Sequence, residues 1–179
     1  PLSHSYEHTA GMHLPFQIGA EVWYCESTDQ IANNLVEVSP TLMTAVPRLY
    51  EVLHDRIMRG VRNKGGLSEQ LFMAAVRLGT KRQQGKPLLP HEVILNLIVE
   101  KLVRNKVRDR LGGQLKFFIS GGAALNPEIG NFFMALGINL LQGYGQTEAS
   151  PLISANRPGR IKIETVGPVV SGVDMKIAD

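Results

Sequence analysis

Short apolar runs separated by longer stretches of helical spacing limit what this chain can fold into. Residues 41–46 (Thr-Leu-Met-Thr-Ala-Val) form an uninterrupted apolar and β-branched run, the pattern of a strand buried on both faces of a parallel sheet. Similar short runs lie at residues 22–25, 116–120 and 138–141. Parallel neighbours need crossovers of a dozen or more residues, usually helical. The segments between the runs meet that need. Residues 5–18 have helical spacing, with Gly19 as C-cap, and residues 28–38 follow a Ser27-x-x-Gln30 capping pattern and stop at Ser39-Pro40. Pro47 opens a helix whose stripe is Leu49, Val52, Leu53, Ile57 and Val61, broken by Gly65-Gly66. Two more helices are expected over residues 67–78 and 90–111, the latter showing its two faces through Val93, Leu97, Glu100, Lys101 and Arg104 before Gly112-Gly113 closes it. Asn126 or Pro127 starts a short helix to Leu136. The expected fold class is α/β: a parallel sheet with flanking helices and right-handed crossovers.

With 179 residues, 44% hydrophobic and 20% charged, the chain suits one soluble domain. No apolar run reaches the roughly 20 residues a membrane span needs. Cys25 is the single cysteine, which points to a reducing, cytoplasmic compartment and to packing as its role. The net charge of +3 is unevenly spread. Residues 48–110 hold fourteen Lys/Arg against six Asp/Glu, and the remainder five against ten. That basic middle is either a solvated helical face or an electropositive surface for the phosphates of a ligand or for anionic lipid headgroups. No basic motif with interleaved aromatics accompanies it, so nucleic acid is not expected as a partner. His8 and His13 follow His4, but no Cys or carboxylate completes a ligand set and no metal centre is expected there.

Ligands of open parallel sheets bind beyond the carboxyl ends of the strands. Two glycine-containing turns, Gly121-Gly122 and Gly143 to Gly145, are expected at such ends, and the second is followed by a hydroxyl, Thr147, and a carboxylate, Glu148. Glycines there admit a close approach of backbone to ligand.

The run Leu141-Gln142-Gly143-Tyr144-Gly145-Gln146-Thr147-Glu148 resembles the Y-G-x-T-E motif of the adenylate-forming superfamily. Ser120-Gly121-Gly122-Ala123-Ala124-Leu125 is similar to its S-G-G-A-P-L turn, with Ala124 in the proline position. Pro1-Leu2-Ser3-His4-Ser5-Tyr6-Glu7 resembles the P-L-x-H-x-x-E segment of the long-chain acyl-CoA synthetase branch. Thr165-Val166-Gly167-Pro168 and Gly172 to Ile177 resemble the strand pair before the family's ribose-binding region. The resemblance implies a fatty acid–CoA ligase that uses ATP, Mg2+ and coenzyme A to activate a fatty acid as acyl-adenylate and pass it to CoA. It implies a donor role for Thr147 toward the α-phosphate, Mg2+ binding by Glu148, and an adenine-facing ring in Tyr144. Gly121, Gly122, Ala123, Gln142, Gly143 and Gly145 would line the nucleotide with backbone. His4 would orient the carboxylate, a hydrogen-bonded structural role being its alternative.

The same resemblance makes residues 1–179 an internal fragment of the AMP-binding N-terminal domain, mostly helical at about residues 47–112. The phosphate loop would precede Pro1, and the ribose-binding Asp and catalytic Lys would follow Asp179. Two other functions fit these residues: a ligase for another carboxylic acid, and a non-catalytic nucleotide-binding domain.

Overall fold

The computed structural model describes residues 3–177. A four-stranded sheet in the order β1-β2-β3-β4 is built from β1 (Leu42–Ala45), β2 (Phe117–Ser120), β3 (Asn139–Gly145) and β4 (Leu152–Ala155). The first three strands are parallel, in a register that aligns Ala45 with Ser120 and Ser120 with Gln142. β4 runs antiparallel to β3. Four helices make the β1-to-β2 crossover: α4 (Pro47–Lys64), α5 (Gly66–Gln83), α6 (Pro90–Val99) and α7 (Asn105–Arg110). The π-helical turn Glu100–Arg104 joins the last two into one continuous helix. α8 (Pro127–Ala135) carries β2 to β3, and Asn126 caps it by accepting from the Glu128 N–H at 2.9 Å. Before β1 lie α1 (Ser5–Glu7), the π-helical turn His8–His13, α2 (Leu14–Gln17) and α3 (Ile31–Val38).

The core is aromatic at its centre. Tyr50, Phe118 and Phe133 are fully buried, with ring centroids 5.1 to 6.3 Å apart, the tilted and edge-on spacing such rings favour. α5 packs on α8 so closely that a Cβ at Gly79 would overlap the Ala135 backbone, so glycine here serves close approach between helices. α6 packs against α5. Lys81 on α5 bonds Glu92 on α6 at 2.5 Å, and the same carboxylate takes the Leu89 N–H at 2.9 Å. The Lys81 bond, then the Leu89 bond, hold the Glu92 carboxyl below its ordinary range.

Several sequence expectations are corrected. Residues 22–25 form no strand. Trp23 and Tyr24 stand 64% and 55% exposed, and Cys25 is exposed, its Sγ donating to Ser27 O at 3.0 Å instead of packing. A four-residue run has no register of its own, and no strand among the described residues reaches it for pairing. Before α3, Ser27 Oγ accepts from the Gln30 N–H at 3.3 Å, but in a turn, and the helix starts only at Ile31. β1 borders β2 alone among the described residues and Leu42 is 45% exposed, so this strand is not covered on both faces. Gly143 to Gly145 is not a turn but the last part of β3, made extended by its pairing with β4, a strand the sequence did not reveal. The expected strand pair near the end is absent among the described residues. Residues 168–170 instead run along β4 through Ala155 N to Pro168 O (3.2 Å) and Val170 N to Ile153 O (2.9 Å). Pro1, Leu2, Ala178 and Asp179 lie outside the described residues.

Arg104 overturns the simple two-faced helix expected over residues 90–111. It is 2% exposed, whereas Leu97 is 67% exposed. Its Nε donates to Ala135 O (3.0 Å), Nη2 to Ala75 O (2.8 Å), and Nη1 to Asn96 Oδ1 (2.8 Å) and Glu100 Oε2 (3.0 Å). One guanidinium thus ties α5, α6 and the end of α8 together. Burial pushes the Glu100 carboxyl up, but bonds from Arg108 and Arg104 outweigh it and leave the group below its ordinary range.

Candidate functional site

The carboxyl ends of the parallel strands form a row, Ala45, Ser120 and Gln142. Beyond that row β2 turns away through Gly121 and Gly122, the latter at φ +83° where a side chain would be strained. β3 continues for three more residues, with a register shift between Tyr144 and Gly145, and among the described residues pairs there only with β4. The edge of Gly143 to Gly145 that faces β2 therefore has no ladder partner among the described residues. Free backbone on one side and the exposed residues Gly122 and Ala123 on the other create an open-edged step at the usual ligand end of the sheet. Tyr144 lies on this extension, 40% exposed, and its hydroxyl accepts from Gln146 Nε2 at 3.0 Å.

Chain direction reverses immediately after the extension. Gln146 N–H reaches Pro151 O at 2.8 Å, and a Cβ at Gly145 would overlap that same carbonyl, so only glycine allows so tight a hairpin. At its tip the 3-10 turn Thr147–Ala149 presents Thr147 and Glu148 to solvent, closed by Ser150 in the left-handed region (φ 61°). Both side chains stand on a short, backbone-anchored support.

The N-terminal segment crosses these strand ends. Tyr6 donates its hydroxyl to Ile119 O at 3.1 Å, with Ala45 O at 3.5 Å, and Tyr50 donates to Ile119 O at 2.7 Å. Burial pushes both phenols above the ordinary tyrosine range, so both remain neutral donors. A Cβ at Gly121 would meet the Tyr6 ring at 2.8 Å. The Tyr6 ring thus rests on this glycine. One residue earlier, Ser5 Oγ lies 2.9 Å from Thr147 Oγ1, joining positions 142 apart in the chain. His4 adjoins that contact and is exposed, and its Nδ1 accepts the Tyr6 N–H at 3.2 Å as the N-cap of α1.

The site residues expected from sequence thus fall into groups. His4, Gly121 and Thr147 are linked through Ser5 and Tyr6, and Tyr144 and Glu148 share the strand and hairpin that carry Thr147. Gln142 stands apart. Its side chain is buried, accepting from Leu125 N at 3.3 Å and donating to Ile163 O, and its carbonyl takes the Asn156 N–H at 2.8 Å. Ser5, Tyr6 and Asn156 went unnoticed in sequence as parts of this arrangement. Asn156 is 4% exposed and holds the loop after β4 through Thr165 O (2.6 Å) and Lys162 N (3.0 Å). Ser5 and Tyr6 carried a signal only by their place inside the P-L-S-H-S-Y-E run, and Asn156 carried none.

Among the described residues no group of three or more His, Cys, Asp or Glu is placed to hold a metal ion. Glu148 alone fits Mg2+, which keeps most of its waters and takes one or two carboxylates with substrate phosphates completing the shell.

Residues 1–179 match the family model for AMP-binding enzyme from end to end. The chain belongs to the AMP-binding enzyme family. It is 34% identical, along its whole length, to the peroxisomal long chain acyl-CoA synthetase 6 of Arabidopsis thaliana, covering 25% of that protein. Among solved structures it resembles the anthranilate CoA ligase AuaEII, in complex with anthranoyl-AMP, with TM-score 0.59 and 18% identity over 99% of this chain and 26% of that one. A benzoate CoA ligase from Burkholderia xenovorans LB400 matches with TM-score 0.55 and 26% identity over 96% of this chain and 26% of that one. This AMP-binding chain therefore spans about a quarter of the length of the relatives it matches. Their fold accounts for the parallel strands and flanking helices seen here. No helix among its described residues is long and apolar enough to cross a membrane.

Proposed function

We propose that this chain forms one wall of the acyl-adenylate pocket of an ATP-dependent fatty acid–CoA ligase. It would be an internal piece of the N-terminal AMP-binding domain, with residues 47–112 as a mostly helical insert. The observation that carries the proposal is the Gly143 to Gly145 extension, which offers an unpaired strand edge opposite Gly122 and Ala123 and delivers Thr147 and Glu148 at its tip.

In the first step a carboxylate oxygen of the fatty acid attacks the α-phosphorus of ATP. A carboxyl–phosphate bond forms, the bond to the β-phosphate oxygen breaks, and pyrophosphate leaves. Negative charge grows on the nonbridging α-phosphate oxygens, and donors aimed there beforehand stabilise it without reorganising. Thr147 supplies such a hydroxyl. Glu148 would hold Mg2+, which supplies charge neutralisation across the phosphates. Tyr144 gives adenine a flat apolar face. Gly121, Gly122, Ala123, Gln142, Gly143 and Gly145 would shape the backbone floor, and His4 would orient the incoming carboxylate. In the second step the sulfur of coenzyme A attacks the acyl carbonyl and AMP departs. The single cysteine and the cofactor set agree with a cytoplasmic setting.

The test is pyrophosphate exchange by the full-length protein against acids of graded chain length, with benzoate alongside. Exchange dependent on a long-chain acid is expected. Exchange only with benzoate would move the substrate to another carboxylic acid, and none with any acid would leave a non-catalytic nucleotide-binding domain. The isolated chain should form no CoA ester.

Ser5 supplies a second test. If its hydroxyl orients Thr147, Ser5→Ala should slow adenylation by about 1 kcal/mol, or roughly fivefold. Ser5→Thr should restore the rate. Equal rates for wild type and Ser5→Ala would separate Ser5 from the chemistry.

A further inference from the structure

The turn that faces the Gly143 to Gly145 extension is held at its two ends and nowhere between. Gly121 N–H reaches Ala45 O at 3.3 Å, and Leu125 N–H reaches Gln142 Oε1 at 3.3 Å. The backbone of residues 122–124 makes no hydrogen bond among the described residues, and Gly122, Ala123 and Ala124 are exposed. The far end of this wall therefore hangs on one side chain. Gln142 is 7% exposed and Leu125 5% exposed, so the bond between them is shielded from solvent.

The nitrogen of the same carboxamide is used as well. Gln142 Nε2 donates to Ile163 O, in the loop that follows β4, and the Gln142 carbonyl takes the Asn156 N–H at 2.8 Å. Leu125 N–H needs an acceptor and Ile163 O a donor, and a carboxamide supplies both at once. Leu125 and Ile163 also meet over Gly130 of α8, where a Cβ would lie 2.2 Å from Ile163 Cγ1 and 3.2 Å from Leu125 Cδ2. Gln142 stands level with Ser120, directly before the extension begins. Its side chain thus fixes one wall of the slot while its backbone starts the other.

We propose that Gln142 is a positioning residue for the nucleotide: by holding Leu125 N–H, its side chain sets the spacing between the wall of residues 121–125 and the edge of residues 143–145, without touching the nucleotide itself. The bond to Ile163 O steadies the loop after β4 and is secondary to that spacing. The inference rests on the nucleotide reading of the site given above, and adds to the backbone contact assigned to Gln142 there a separate task for its side chain.

The experiment is equilibrium dialysis of ATP against the full-length protein and its variants, with a melting curve for each. Gln142→Met keeps an unbranched side chain and removes both bonds, so its Kd for ATP should rise on the order of tenfold. Gln142→Asn, one methylene short of Leu125, should lose as much and serves if Gln142→Met does not fold. Gln142→Glu keeps an acceptor for Leu125 N–H and loses the donor to Ile163 O. It should melt lower than wild type yet bind ATP within about threefold of it. Asn96→Leu, which removes a partner of Arg104 on α6, should also melt lower and bind ATP as wild type. A wild-type Kd in Gln142→Met or Gln142→Asn, or a tenfold loss in Gln142→Glu, would overturn the role given to Gln142. A loss in Asn96→Leu as large as in Gln142→Met would overturn it too, because affinity would then follow stability alone. Wild type that binds no ATP would instead remove the nucleotide reading, and this inference with it.

Discussion

Glu148→Gln in the full-length protein is expected to lower acid-dependent pyrophosphate exchange on the order of a hundredfold, about 3 kcal/mol of transition-state stabilisation. Glu148 is exposed at the tip of a hairpin held by Gln146 N to Pro151 O and by the glycine at 145. A carboxylate fixed there would repel a triphosphate, so its position makes chemical sense when a cation lies between them. Glutamine keeps the shape and removes the charge. The loss should therefore appear as a higher Mg2+ requirement together with a lower adenylation rate. Thioester formation from supplied acyl-adenylate should fall much less, because pyrophosphate has already departed. Unchanged exchange with unchanged Mg2+ dependence, in a folded variant, would remove Glu148 from the proposed metal role.

The largest stability effect is expected at Arg104. Arg104→Met keeps a flexible stem but strips partners from Ala75 O, Ala135 O and Asn96, and leaves the Glu100 carboxylate without one of its two guanidinium partners. Ala135 is in the last turn of α8, where carbonyls lack intrahelical donors and depend on such outside partners. Breaking a buried ionic arrangement from one side costs about 3–5 kcal/mol. For a unit of this size that corresponds to a fall in melting temperature on the order of 10 °C. Lys101→Met, three residues away on the exposed side, should stay within about 0.5 kcal/mol of wild type. Urea midpoints of the two variants decide the matter, and equal midpoints would refute the assigned role of Arg104.

The elements legible from sequence were those with strong local signals. Pro47, Gly65-Gly66, Asn126-Pro127 and Gly112-Gly113 mark starts and stops that the backbone obeys, because proline pre-sets a helical first turn and these glycines adopt positive φ. Short strands were less secure. The run at residues 22–25 looks as apolar as residues 138–141, yet only the second finds neighbours to pair with. Chemical motifs were legible as residue types in order, so Tyr144, Thr147 and Glu148 could be named before their geometry. Ser5 could not, because a serine among mixed residues has no pattern until the chain brings it 2.9 Å from Thr147.

By itself, the sequence determined the alternation of strand and helix from β1 to β3, the parallel pairing of those three strands, and the residues set around their carboxyl ends. Those follow from periodicity and from the few conformations open to proline and glycine, which act within a few residues of themselves. Tertiary structure alone decided that Gly143 to Gly145 is strand rather than turn, since that depends on β4 arriving antiparallel beside it. It alone decided that Arg104 is buried beside Val99 and Val103 while Leu97 is exposed. A helix wheel ranks side chains by their affinity for water. The partners available at each face decide which of them leave it, and here four acceptors waited for one guanidinium on the inner side.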